Sequence, residues 1–145
     1  MDRLSTEQKI GQLIQTERMS ITPEQVREHH IGSVLSGGGS CPGNNTPADW
    51  TAMNDAYYQA SIQSNSGIPT LYGVDAIHGN NNVLGAVIFP HNIGLGCAND
   101  PELIERVAQV TAKEILATGV EWTFAPTLAA ARDMQWGRVY ESYSE

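Results

Sequence analysis

The chain has 145 residues, 41% of them hydrophobic, and a formal net charge of −8, with a pI near 4.8. That is the size and apolar content of one ordinary domain, and with only Lys9, Lys113 and six scattered arginines there is no basic stripe to displace counterions from nucleic acid. No apolar run approaches the roughly 20 residues needed to cross a bilayer, and Met1-Asp2-Arg3-Leu4-Ser5 lacks the basic start and apolar centre of a signal peptide.

Ser5-Thr6-Glu7-Gln8 has the form of a capping box, and Ile10, Leu13 and Ile14 follow at helical spacing, so a helix is predicted over 6–17. Thr22-Pro23-Glu24-Gln25 repeats the signature with proline at the first helical position, and a short helix should run to about His29. The apolar run 31–36, stopped by Gly37-Gly38-Gly39, reads as a short buried strand. Thr46-Pro47-Ala48-Asp49 opens another helix, with Trp50, Met53, Tyr57 and Ala60 along one face. A second strand is predicted over 69–74. Residues 80–99 are rich in Asn and Gly and read as one long irregular loop. Asp100-Pro101-Glu102 caps a third long helix, with Leu103, Val107, Val110 and Ile115 inward and Gly119 as its stop. A third strand over 121–125 precedes a polar loop. Helix and strand alternate throughout, which implies parallel strands joined by crossover helices.

Chemistry concentrates just past two of the strands. Asp75, in Gly73-Val74-Asp75-Ala76-Ile77-His78-Gly79, is a carboxylate at the mouth of a strand, where parallel architectures gather substrate groups. By itself it is as readily a turn cap; as a ligand it would accept charge-assisted bonds from hydroxyls. Gly73 is read as giving the backbone freedom beside it. Arg138, in Trp136-Gly137-Arg138, offers five donors in a fixed fork; it can serve a ligand or pair with Glu141 or Asp133. Arg132 and Asp133 read as loop staples, and Trp136 as a packing residue. His78 and His91 lack metal-ligand spacing and read as partners of loop backbone, while His29-His30 suit a helix C-terminus. Cys41 and Cys97 set up no disulfide framework and read as buried free thiols. Neither Gly37-Gly38-Gly39 nor Gly94-Leu95-Gly96 has the form of a dinucleotide or phosphate loop, so nucleotide binding is a weak alternative.

Several spaced motifs together resemble the N-terminal domain of family 3 glycoside hydrolases. They are Lys9-Ile10-Gly11-Gln12-Leu13, the run from Ile31 to Gly39, Tyr72 to Gly79, Phe89-Pro90-His91-Asn92-Ile93-Gly94-Leu95-Gly96, Phe124-Ala125-Pro126 and Trp136 to Tyr143. Their order along the chain makes the resemblance specific. The nearest likeness is to β-glucosidases and exo-β-glucanases acting on 1,3- and 1,4-linked glucans.

The resemblance implies an α/β fold: residues 1–145 would form the N-terminal part, about three βα units, of a (β/α)8 TIM-like barrel, which typically needs about 250 residues. It implies truncation at both ends, with the remaining barrel and a second domain supplied by a longer parent chain. By the same resemblance, Asp75 and Arg138 match positions that grip the non-reducing terminal glucosyl residue. The family's retaining double displacement uses an aspartate nucleophile and a glutamate acid/base, and both would lie beyond Glu145. No cofactor or metal is implied. The partner is a β-glucan or β-glucoside, and the parent would be periplasmic or secreted. A glycan-binding protein or inactive fragment that keeps the Asp75 and Arg138 contacts is the alternative.

Overall fold

A computed structural model describes residues 3–144 of the chain. Among them, helix α1 (Thr6–Gln12) leads into strand β1 (Gln15–Glu17), then α2 (Pro23–His29) and β2 (Ser33–Ser36). They are followed by α3 (Pro47–Ile62), β3 (Leu71–Val74), α4 (Asn92–Cys97), α5 (Pro101–Leu116) and β4 (Trp122–Thr123). Side-chain caps account for the starts of α1, α2, α3 and α5. Ser5, Thr22 and Thr46 each accept from the backbone N–H three residues on, and Gln8, Gln25 and Asp49 return the bond to the cap. Asp100 caps α5 by accepting from Leu103 N at 3.0 Å.

The strands form one parallel sheet in the order β1-β2-β3-β4. Thr16 lies opposite Val34, Val34 opposite Tyr72, and Gly73 opposite Trp122. The three expected strands are therefore parallel neighbours, as βαβ crossovers require. Ahead of them β1 adds an unexpected strand, making four among the described residues. The helix predicted over 6–17 stops at Gln12 and its last residues become β1. Gly32 N donates to Gly11 O at 2.9 Å, and Gln12 Nε2 donates to His30 O at 2.7 Å. These tertiary bonds take the chain out of the helix and lay it beside β2. Ile10, Leu13 and Ile14 consequently remain exposed.

The core lies between the sheet and its helices, built from Val26, Val34, Trp50, Tyr57, Tyr72 and Val74 with Ile115 and Val120. Two polar groups on core aromatics are paired: Trp50 Nε1 donates to Asn45 Oδ1 at 2.7 Å, and the Tyr72 hydroxyl meets that of Ser36 at 2.7 Å. On α5, Leu103, Val107 and Ile115 turn inward as expected but Val110 does not. Thr111 takes the inner row, one turn from Val107 and Ile115, and its hydroxyl is satisfied by Val107 O at 3.0 Å. The thiols are also corrected: both are free, but Cys97 is exposed and Cys41 only half-buried. Cys97 ends the short helix α4, whose inward face is taken by Asn92 and Leu95.

Candidate active site

Gly73 is needed for space, not for backbone freedom. Its φ lies outside the left-handed region, and a Cβ built on it would meet Trp122 Cε3 at 1.9 Å. The Trp122 ring thus lies across the face of β3, with its edge against Phe124 at a centroid distance of 4.3 Å. This close packing of β3 on β4 fixes the end of the strand from which Asp75 emerges.

Asp75 directly follows β3. Its N–H donates to Ser36 O at 3.2 Å, and Ala76 N donates to Thr123 Oγ1 at 3.3 Å, so both neighbouring strands hold its backbone. Its carboxylate is half-buried, and no hydrogen bond engages it among the described residues. It is not a turn cap.

The loop beyond Asp75 is ordered by its own polar groups. The Phe89 N–H donates to His78 O at 2.8 Å, and His78 Nδ1 lies 2.8 Å from Phe89 O. Gly79, at φ +107°, lets the Val87 carbonyl approach to 2.1 Å of where a Cβ would stand. Asn82 ties the loop to the turn after β2, accepting from Gly39 N and donating to Gly37 O, both at 3.0 Å. Residues expected to stay irregular to position 99 instead form α4. The His91 ring packs at a tilt of 43° against His78, with centroids 4.4 Å apart, and meets Tyr140 edge-on at 5.5 Å. His78 matches its expected backbone role, whereas His91 serves as an aromatic spacer between the two loops.

Arg138 stands before a 3-10 turn over Val139–Glu141. Its Nε donates to Glu141 Oε1 at 2.8 Å and its Nη2 donates to Glu141 Oε2, a bidentate pair of the kind a guanidinium favours. The arginine side chain is 65% exposed and the glutamate 11%. The hydrogen bond to Glu141 and then the attraction of its charge raise the Arg138 pKa, with Asp75 among the smaller contributions. In return, the Arg138 hydrogen bond holds the Glu141 carboxyl below the usual glutamate range, against some desolvation, with Tyr140 and His91 adding to it. Arg138 thus makes the Glu141 pairing that its sequence position allowed. Only part of its fork is used, and the remaining N–H donors meet no acceptor among the described residues. Asp133 does staple its loop, accepting from Gln135 N at 2.9 Å; Arg132 makes no such bond there, and Trp136 is exposed.

Two further asparagines had no pattern to mark them. Asn82 is described above; Asn92 donates from Nδ2 to Glu141 O at 2.9 Å. An isolated buried amide carries no periodic signal, so neither could be singled out from sequence. An apolar groove of about 480 Å³ runs beside α5, lined by Ala76, Leu95, Ile115, Ala125, Leu128 and Tyr143 among others, and neither Asp75 nor Arg138 lines it. It is the uncovered flank of a helix, apart from the polar cluster.

Because the folded pKa of Glu141 lies below its unfolded value, the pair contributes fully above the ordinary glutamate range and is lost as pH falls through the lowered value. The melting difference between the native protein and a Glu141→Gln variant should therefore be small but present at neutral pH. It should vanish in acid below the Glu141 pKa. A difference that grew on acidification would contradict the pairing.

The description "Glycosyl hydrolase family 3 N terminal domain" belongs to a family model that matches residues 5–145. An exo-1,3/1,4-beta-glucanase from a Pseudoalteromonas species superposes with a TM-score of 0.88 and 50% identity over 97% of this chain and 18% of that one. A lysosomal beta-glucosidase of Dictyostelium discoideum is 34% identical over the whole chain, which covers 20% of it. A periplasmic beta-glucosidase of Salmonella typhimurium is 29% identical, again over the whole chain and 18% of that protein. The chain spans about a fifth of the length of these relatives. No helix among the described residues is long and apolar enough to cross a membrane.

Proposed function

Because the chain belongs to glycoside hydrolase family 3, as its N-terminal domain, we propose that it opens a longer, retaining β-glucosidase-type exo-hydrolase that removes terminal β-D-glucosyl residues from β-glucans or oligosaccharides. In this reading Asp75 and Arg138 form the first sugar subsite. The observation that supports it is a half-buried carboxylate, Asp75, with no hydrogen bond among the described residues, directly past the carboxyl end of β3 in a parallel sheet, while Arg138 keeps part of its donor fork free of Glu141. Adjacent sugar hydroxyls need such groups: carboxylate oxygens accept from them, and the free N–H donors of a fork give to them.

The reacting carboxylates come from the rest of the parent. A retaining pair stands about 5–5.5 Å apart across the scissile bond, and Glu121, Glu141 and Asp133 are otherwise placed or occupied. Glu121 precedes β4 and lines a polar cleft with Pro69 and Thr70, at the sheet end opposite Asp75. Glu141 is held by Arg138, and Asp133 accepts from its own loop. Relatives described as lysosomal and periplasmic favour a parent that is secreted or periplasmic.

The test is hydrolysis of an aryl β-glucoside by the full-length protein, with the anomer first released followed by NMR. β-Glucose first is expected. α-Glucose first would refute retention, and tight glycan binding without turnover would favour a non-catalytic binder. Residues 1–145 expressed alone should release no aryl group; turnover abolished by Glu141→Gln would show that the chemistry resides here.

A further inference from the structure

Asn92 is the first residue of α4 and only 1% exposed. Its Nδ2 donates to the Glu141 carbonyl at 2.9 Å, while its Oδ1, also buried, has no partner among the described residues. Burying an amide for a single bond is unfavourable unless that bond secures something. What it secures is the 3-10 turn that carries Glu141. The two segments press together: a Cβ on Gly96, in α4, would meet Ser144 N at 2.4 Å.

The same Glu141 whose carbonyl is held by Asn92 grips Arg138 with its carboxylate. A continuous path of contacts therefore runs from the buried amide, through the backbone and then the side chain of Glu141, to the guanidinium. Arg138 is mostly exposed and has no other hydrogen-bond partner among the described residues. A long side chain of that kind loses considerable rotamer freedom when held in one orientation, so its aim depends on how firmly Glu141 is fixed.

We propose that Asn92 is a positioning residue for Arg138, acting through Glu141. The proposal rests on the reading of Arg138 as a sugar contact. Asn92 itself touches no substrate; it sets where the fork points.

The experiment is a double-mutant cycle in the full-length protein, read as kcat/KM on an aryl β-glucoside. Asn92→Leu keeps the bulk and removes the donor; it should lower kcat/KM by about 10- to 100-fold, the order of loss that a misplaced contact group produces. In an Arg138→Ala background the same change should cost less than about twofold, because the residue it positions is already gone. Glu141→Gln should be buffered by Arg138→Ala in the same way. A purely structural role would instead multiply the two losses, and that outcome overturns the proposal. So does a folded Asn92→Leu with normal kcat/KM. If Asn92→Leu does not fold, the isosteric Asn92→Asp, whose carboxylate would face the Glu141 carbonyl, takes its place in the cycle. An additive cycle with an impaired Arg138→Ala removes the positioning role alone; a near-normal Arg138→Ala removes the sugar-contact reading and the proposal with it.

Discussion

Asp75→Ala, made in the full-length protein, should reduce kcat/KM on an aryl β-glucoside by about 30- to 900-fold, or about 2–4 kcal/mol of transition-state binding. The carboxylate has no hydrogen-bonding duty inside the described chain, so its removal leaves no broken internal bond. What is lost is the set of charge-assisted bonds that a sugar would make with it. Its strand end is held by Ser36 O and Thr123 Oγ1 through backbone N–H groups, and a change confined to the side chain leaves these in place. Arg138→Ala should show a loss of the same order. His30→Ala is the contrast, since His30 ends α2 with φ 56° before β2 begins, away from the Asp75 mouth; its kcat/KM should stay near normal. Near-normal kinetics for Asp75→Ala would end the subsite reading.

Gly73→Ala should be the most damaging small substitution in the sheet. Its Cβ has nowhere to go while the Trp122 ring stays at 1.9 Å, and relieving such a clash costs about 1–3 kcal/mol. The melting temperature of the full-length protein should fall, and the sugar contact should weaken because Asp75 is two residues on. Gly37→Ala is the control: nothing lies within 4 Å of a Cβ built there and its φ needs no glycine. Gly73→Ala combined with Trp122→Val should recover much of the loss, since the two changes share one contact. Equal stability of Gly73→Ala and Gly37→Ala would show that the ring moves aside freely.

What could be read from sequence followed from where the physical signal was local. The boxes at Ser5, Thr22 and Thr46 are side-chain to backbone bonds three residues apart, and all three formed. Strands β2 and β3 announce themselves as apolar runs ended by turn residues. Strand β1, Gln15-Thr16-Glu17, is polar and three residues long, and it follows an apolar helical stripe without a break; only its pairing with β2 makes it a strand. Helix α4 contains Gly94 and Gly96 and would be a poor helix alone, yet burial of Leu95 and Asn92 against neighbours supports it. At the candidate site, Asp75 stands out in the sequence because it directly follows an apolar strand run. The Arg138 pair was open to either Glu141 or Asp133, and geometry chose Glu141. The role of Gly73 was misread because a glycine looks the same in sequence whether it is needed for an unusual φ or for room.

The sheet order repeats the chain order, β1 to β4 without a jump. A polypeptide leaving the ribosome could therefore add each strand to the one just laid down, with no early segment waiting for a distant partner. Synthesis itself would be a workable assembly schedule, N-terminal units first. The hazard of that schedule is its growing tip. After Thr123 the outer backbone of β4 faces no further strand among the described residues, and an unpaired strand edge is a template for any other extended chain nearby. A pause in translation at this stage would hold the nascent protein at its stickiest, and silent codon changes that slow the ribosome shortly downstream should raise the insoluble fraction without altering one residue.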